Sequence, residues 1–461
     1  MARLTRVQLP EFGVCDAIPL LPITLYEDRL QAVVERMRRA GLTFLVVYAD
    51  REHSANLSFL TGFDPRFEEA LLLLDLQGHR LLLVGNECLG ILPDPVLKIK
   101  TELFQEFSLV DQPRDQSRPI ETIFREFGIS SSAVVGCVGW KYFDGRNVEN
   151  PSLAIEIPAY LVDVLRKLTG RTNAVVNATS LFINSSDGLR LTNSVDQVAR
   201  FEYAASTVSN GILQVLRHLN VSEREKDLAR FYDCRGLTLT CHPMLSFGEK
   251  ARRALSSPSD NTAQLGQPYT LAFGVEGGLS CRAGMIAAGP QDLPAELKEI
   301  YPQLASNYFD VIATMYEGVK VGAVAGDIFD RVDAVRRKDL FTFALNPGHY
   351  LQLDEWLCSP FSKYSRVTLR SGVAIQMDLI PVPQGPFCCL NVEDGVVLAD
   401  EPLRDELRIR YPATWQRIVA RRQFLRDGLG IEIDDSLLPL SNMSAWLAPY
   451  AQALDLAYVK C

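Results

Sequence analysis

The stretch AFGVEGGLSCRAG (Ala272–Gly284) spans the ends of two strand-like runs, Tyr269–Phe273 and Leu279–Ala288, on which the reading of the chain turns. Ahead of it the sequence reads as two long helices, Ser194–Leu219 and Ser222–Arg235. The second opens with SERE, a capping box of Ser222 and Glu225. Behind it come a helical block, Pro294–Val319 and Ala325–Arg337, and two further strands, Val373–Leu379 and Phe387–Val397. The tail from Pro412 is helical and carries Arg417, Arg421 and Arg422. Glu432, Asp434 and Asp435 follow closely, so this is a solvated face.

Further from that centre, residues 25–41 put Leu30, Val33, Val34 and Met37 on one helical face, with Gly41 as the C-cap. Phe44–Tyr48 reads as a buried strand. Ala70–Leu74 and Leu81–Val84 read as neighbouring strands joined through a QGH turn, and Ala133–Val138 as another strand. A helix begins after Pro158, and DQPRDQSR (111–118) is a surface loop. The chain therefore predicts an α/β (α+β) fold in two domains, 1–185 and 186–461, as 461 residues allow.

Composition excludes several classes of function. Fifty-six acidic and 47 basic side chains, net −9, are spread along the chain, so no basic stripe offers itself to nucleic acid. Apolar runs are strand-sized, far short of the roughly 20 residues of a membrane helix. The N-terminus lacks the apolar core of a signal peptide, and the ten cysteines are scattered without CxxC spacing. A cytoplasmic protein with reduced thiols is expected. GVEGG is too short for a nucleotide loop, and neither GxSxG nor GxxxxGK[ST] occurs.

Four phrases in order, AFGVEGGLSCRAG, NPGHYLQLDEW (346–356), GVAIQMDLIP (372–381) and NVEDGVVLAD (391–400), resemble the pita-bread superfamily of creatinase, aminopeptidase P and prolidase. NLSFLTGF (Asn56–Phe63) is similar to that family's N-terminal domain, and SVDQVARFEYAAS (Ser194–Ser206) to the first helix of its catalytic domain. The resemblance runs from about Leu25 to Gly428. It implies a creatinase-like N-terminal domain over 1–185 and a pita-bread domain over 186–461.

In the metallopeptidase members, two metals sit among two Asp, one His and two Glu. The resemblance places Ala272 and Ala283 at the two Asp positions, while His349, Asp378 and Glu393 hold the other three. Methyl groups donate nothing to a hard cation, so a dinuclear centre is not expected. The family's proton-shuttling His corresponds to Trp356, the Arg before the last Glu to Asn391, and the His that serves creatinase has no counterpart in Ala254–Asp260.

The candidate catalytic residues are accordingly His349, Asp378 and Glu393, with Arg66, Glu276 and Trp356 as substrate-binding candidates and no metal or other cofactor. An imidazole between two carboxylates is expected to have a raised pKa and to act as general acid or base. Two carboxylates without a metal repel, so one should hold a proton or find a cation. Arg66 is the suggested cation, because in a creatinase-like homodimer the N-terminal domain reaches the neighbouring pocket. Glu276, four residues after Ala272, would face the same side if the strand ran that far. Arg282 alternates away from Ala283, and Cys281 beside it reads as a buried, inert thiol.

Three readings of function follow. The first is a metal-independent, creatinase-like hydrolase or lyase acting on a C–N bond of a small nitrogen-containing substrate. The second is a catalytically inactive relative, a pseudoenzyme that binds or assembles. The third is a mononuclear metal hydrolase of the Xaa-Pro peptidase type using His349, Asp378 and Glu393. Replacement of the family's charged groups by Ala272, Ala283 and Trp356 makes the pocket larger on one side and more aromatic on the other, which suits a flat or apolar-bodied ligand over a peptide.

Overall fold

The computed structural model describes residues 2–461. Two compact units divide the chain, one formed by Leu21–Arg190 and the other by the residues up to Leu20 together with Leu191–Cys461. The start of the chain thus departs from the expected 1–185 domain. Strand β1 (Ala2–Arg6) pairs antiparallel with the last strand of the chain, Ala2 opposite Lys460, because the ladder satisfies backbone groups of both segments.

In the first unit, α1 (Ile23–Arg39) buries Leu30, Val33, Val34 and Met37 and ends on Arg36, Arg38 and Arg39, where cations offset the C-terminal dipole. Next come β2 (Phe44–Ala49), α2 (Ala55–Thr61), β3 (Ala70–Asp75), β4 (Arg80–Val84), β5 (Lys100–Leu103), α3 (Ile120–Glu126), β6 (Val135–Val138), α4 (Ala159–Thr169) and β7 (Val175–Asn177). One six-stranded sheet results, ordered β5-β4-β3-β2-β6-β7. Every residue of β3 is buried, which is why its apolar run is continuous and not alternating. The QGH turn forms as expected, with Asp75 Oδ1 accepting from the Gln77 and His79 N–H groups, both at 2.9 Å.

The second unit continues with α5 (Val195–His218), whose N-cap Ser194 hydroxyl accepts from the Gln197 N–H. The expected second helix is cut to α6 (Glu225–Leu228) and one 3-10 turn. Ser222 has φ +76° and makes no cap. Glu225 is instead fully buried, accepting from the N–H groups of Phe247 and Ser259 and pairing with Lys250. Its carboxylate serves a tertiary contact, which the local pattern does not encode.

Beyond it lie β8 (Met244–Phe247), β9 (Pro268–Val275), β10 (Gly278–Met285), α7 (Ile300–Gly318), α8 (Ala325–Val335), β11 (Phe341–Phe343), β12 (His349–Tyr350), β13 (Ala374–Gln376), β14 (Pro381–Pro383), β15 (Asn391–Glu393) and β16 (Gly395–Leu398). Helices α9 (Glu401–Arg410) and α10 (Pro412–Gln423) and strands β17 (Leu437–Pro439) and β18 (Leu456–Lys460) complete it. The strands form sheets β15-β10-β9-β8 and β12-β13-β16-β17 and the pair β11-β14.

Phe387–Val397, read as one strand, is therefore two. Asn391–Glu393 joins β10, and after Asp394 the chain crosses to the other sheet, where Gly395–Leu398 pairs with β13. No helix among the described residues is long and apolar enough to cross a membrane.

Candidate functional site

Side chains alternate along a strand, so the register of the β15-β10-β9-β8 sheet decides what faces its concave side. Met244, Ala272, Cys281 and Glu393 lie opposite one another in one row across the four strands. Thr270, Ala283 and Asn391 make the next usable row. All seven line one cavity of about 470 Å³. Arg282 leaves on the reverse face, as alternation requires. It is buried there and forks onto Asp394, with Nη2 at 3.0 and 2.9 Å from the two carboxylate oxygens.

The second sheet supplies the rest. His349 on β12 sits opposite Gln376 on β13, and the Gly348 N–H donates to the Asp378 carbonyl at 2.7 Å, which sets Asp378 beside the imidazole. His349, Asp378 and Glu393 each offer a ligand atom within 4.8 Å of the others, and all three are buried. His349 Nε2 lies 3.6 Å from Glu393 Oε1, and its Nδ1 lies 3.2 Å from the Tyr350 carbonyl. Gln376 Nε2 donates to Glu393 Oε1 at 3.2 Å and to the Leu279 carbonyl at 2.9 Å, so the amide orients the carboxylate. Trp356 stacks on the imidazole, ring centroids 4.1 Å apart and planes 22° apart, and covers one of its faces.

The expected rise of the His349 pKa is corrected by the structure: it falls. Burial is the largest cause, and it outweighs the pull of the Asp378 charge, the Tyr350 carbonyl and Glu355. Burial also pushes Asp378 well above the usual carboxylate range, with the Glu393 charge adding to it. Glu393 is raised to about 7, mainly by burial, while the Cys281 thiol and Gln376 pull it back. Both shifts favour the protonated carboxyl, with burial the larger cause in each. Asp378 Oδ1 is buried and has no hydrogen-bond partner.

Two groups of the site, Gln376 and Glu355, are absent from the sequence reading. Glu355, half-buried in the loop after β12, lines the cavity, and its pKa is raised by burial. It follows no strand or helix period, so only its place next to Trp356 pointed to it. Cys281 faces the cavity in the Glu393 row. Burial and the Glu393 charge hold its thiol protonated, well above its ordinary pKa, as an inert cysteine requires.

Glu276 is not brought to the site. The strand ends at Val275, and Glu276 with Gly277 (φ +85°) makes the turn of the β9–β10 hairpin, so its side chain does not follow the alternation that faces Ala272 to the cavity. Arg66 belongs to the Leu21–Arg190 unit, where its guanidinium lies 3.3 Å from Asp64.

The donor set decides what cation fits. At Ala272 and Ala283 only methyl groups face the cavity, and Asn391 Oδ1 already accepts from the Tyr308 hydroxyl. Two ions do not fit. One ion fits His349, Asp378 and Glu393, where it would meet the orphaned Asp378 oxygen.

No known family profile and no curated protein matches the sequence. Solved structures do match the fold. The dipeptidase PepE from Mycobacterium ulcerans aligns over 82% of this chain and 94% of its own at 17% identity, with a TM-score of 0.62. A prolidase from Pyrococcus horikoshii aligns over 81% and 95% at 14% identity and TM-score 0.59. An Xaa-Pro dipeptidase from Bacillus anthracis aligns over 82% and 96% at 14% identity and TM-score 0.58. The chain has the pita-bread architecture of the creatinase, aminopeptidase P and prolidase group, as its four ordered phrases predict.

Proposed function

We propose that this protein is a hydrolase of a C–N bond in a small substrate, working with a single divalent ion held by His349, Asp378 and Glu393. The observation that carries the reading is the buried Asp378 oxygen without a partner, within 4.8 Å of an imidazole nitrogen and a second carboxylate. A neutral imidazole is the form that ligates metal, and burial favours that form of His349. The fold neighbours named as dipeptidase and prolidase support amide hydrolysis as the reaction class.

When bound, the ion supplies Lewis-acid polarisation of the scissile carbonyl. This chain's own groups do the rest. Gln376 orients Glu393, Trp356 covers one face of the imidazole, and half-buried Glu355, which lines the same cavity, would take the proton of the attacking water and pass it to the leaving nitrogen. Water's hydroxyl ends on the acyl carbon and its proton on the amine.

The test is elemental analysis after incubation with manganese or zinc and dialysis. One ion per chain is expected in the wild type and none in Asp378→Asn. Two ions, or one retained equally by the variant, would overturn the assignment.

A second reading is favoured by one observation. With no cation, burial favours the protonated form of Asp378 and the neutral form of His349, which would set an acid beside a base for metal-independent chemistry of the creatinase type. Turnover that survives exhaustive chelation would select it. A chain inactive in both tests would be the binding or assembly relative. A cytoplasmic homodimer is part of the proposal.

A further inference from the structure

We propose that the cavity takes an apolar amide ending in a carboxylate, an N-acyl amino acid with an alkyl or aryl acyl group, in place of a dipeptide. The proposal rests on the hydrolase reading above and names its substrate.

The mouth of the cavity is an uncovered apolar collar. Leu255 is 72% exposed, Leu345 52%, Val382 42% and Trp356 40%, and all four line this one cavity. Large apolar side chains left in water around a concave site mark a surface that a ligand covers. One wall is the segment Pro381–Phe387. Pro381, Pro383 and Pro386 have no N–H, and the Gln384 N–H is already given to the Leu340 carbonyl at 2.7 Å. An extended peptide binds by trading backbone hydrogen bonds with such an edge, and this one has few donors to trade. It offers a hydrocarbon surface instead, continued by Leu345 and Ile380.

The charges place the ligand's polar end. Asp378, Glu393 and Glu355 line the same cavity, and in the proposed state the ion held there is taken by the amide carbonyl, so the ligand carboxylate needs a cation elsewhere. Two arginines line the cavity, and Arg282 is committed to Asp394 behind the sheet. Arg252 is the other. Its guanidinium lies 3.8 Å from the Phe387 ring centroid, so the ring holds it at the rim. Its pair with Glu249 is exposed on both sides, and such pairs are weak enough to yield to a ligand. The acyl body then lies on the collar, the amide at the floor and the carboxylate on Arg252.

The experiment measures binding to the manganese-loaded protein by calorimetry, with tryptophan fluorescence as a second readout. The probes are N-octanoylglycine, its methyl ester, and glycylproline. N-octanoylglycine should bind at least about tenfold tighter than glycylproline. Arg252→Gln should weaken N-octanoylglycine about tenfold and leave the methyl ester unchanged, as a lost charged contact predicts. Val382→Asp should weaken both octanoyl ligands.

Glycylproline binding as tightly as N-octanoylglycine, or an Arg252→Gln effect equal on acid and ester, would overturn the proposal. Release of glycine is followed separately. Binding with the predicted pattern but no glycine released keeps the ligand class and defeats the hydrolase reading. Metal retention and turnover on glycylproline alone would do the reverse.

Discussion

At the scale of single residues, burial outranks neighbouring charge. His349 lies among carboxylates, yet its pKa falls because desolvating an imidazolium costs more than those neighbours return. His349, Asp378 and Glu393 were legible because each sits inside a short ordered phrase. Gln376 and Glu355 were not, since one acts through a cross-sheet hydrogen bond and the other from an aperiodic loop.

The same desolvation operates in the Leu21–Arg190 unit. Glu69 accepts a 2.5 Å hydrogen bond from the Tyr48 hydroxyl. Burial raises its pKa, the tyrosine lowers it, and the Asp50 charge raises it again, with a net rise. A carboxyl with a raised folded pKa binds its proton more tightly in the native state. Its contribution is full below the unfolded value of about 4.3 and is lost as pH climbs through the folded value. Glu69→Gln should therefore show a smaller loss of melting temperature than wild type between pH 4 and 7. Parallel melting curves for the two proteins across that range would reject the account.

At the scale of elements, the β9–β10 hairpin decides the geometry of the site, and α5 decides where the hairpin sits. The helix crosses so close to the turn that a Cβ on Gly278 would lie 2.6 Å from the Ala204 carbonyl carbon. Backbone cannot yield as a side-chain end does. Gly278→Val is expected to cost on the order of 3 kcal/mol, read from the midpoint of denaturant unfolding. A shift below about 0.5 kcal/mol would mean that the helix moves freely over the sheet.

Long amphipathic elements such as α1, α5 and α7 were legible from periodicity, and the continuous run of β3 from its apolar content. The helix expected after Ser222 was not, because Glu225 trades its capping role for a buried tertiary one. The split of Phe387–Val397 was also hidden. A strand that changes sheets at Asp394 keeps an unbroken apolar sequence while its partners change.

At the scale of the whole molecule, the two-part organisation followed from the shift in pattern near Ser194, and the fold from the order of the phrases. The allegiance of the first residues did not, because five residues of strand have no local signature of a partner at the other end of the chain. The Leu21–Arg190 unit carries Leu89, Ile91, Leu92 and Val96 exposed within one short segment. With the proposed homodimer, light scattering at micromolar concentration should give twice the mass of the chain. A monomer mass would remove the dimer and, with it, the route by which Arg66 was to reach a neighbouring pocket.

The pairing of β1 with β18 has a consequence for biosynthesis. Ala2–Arg6 is synthesised long before its partner Leu456–Lys460. At roughly 5–20 residues per second, the first strand waits about half a minute to a minute and a half for its mate. The contiguous Leu21–Arg190 unit has its whole sequence available long before that. Synthesis through Lys460 is thus a condition for closing the β1–β18 ladder, and until then Ala2–Arg6 is a strand without its partner, open to chaperones.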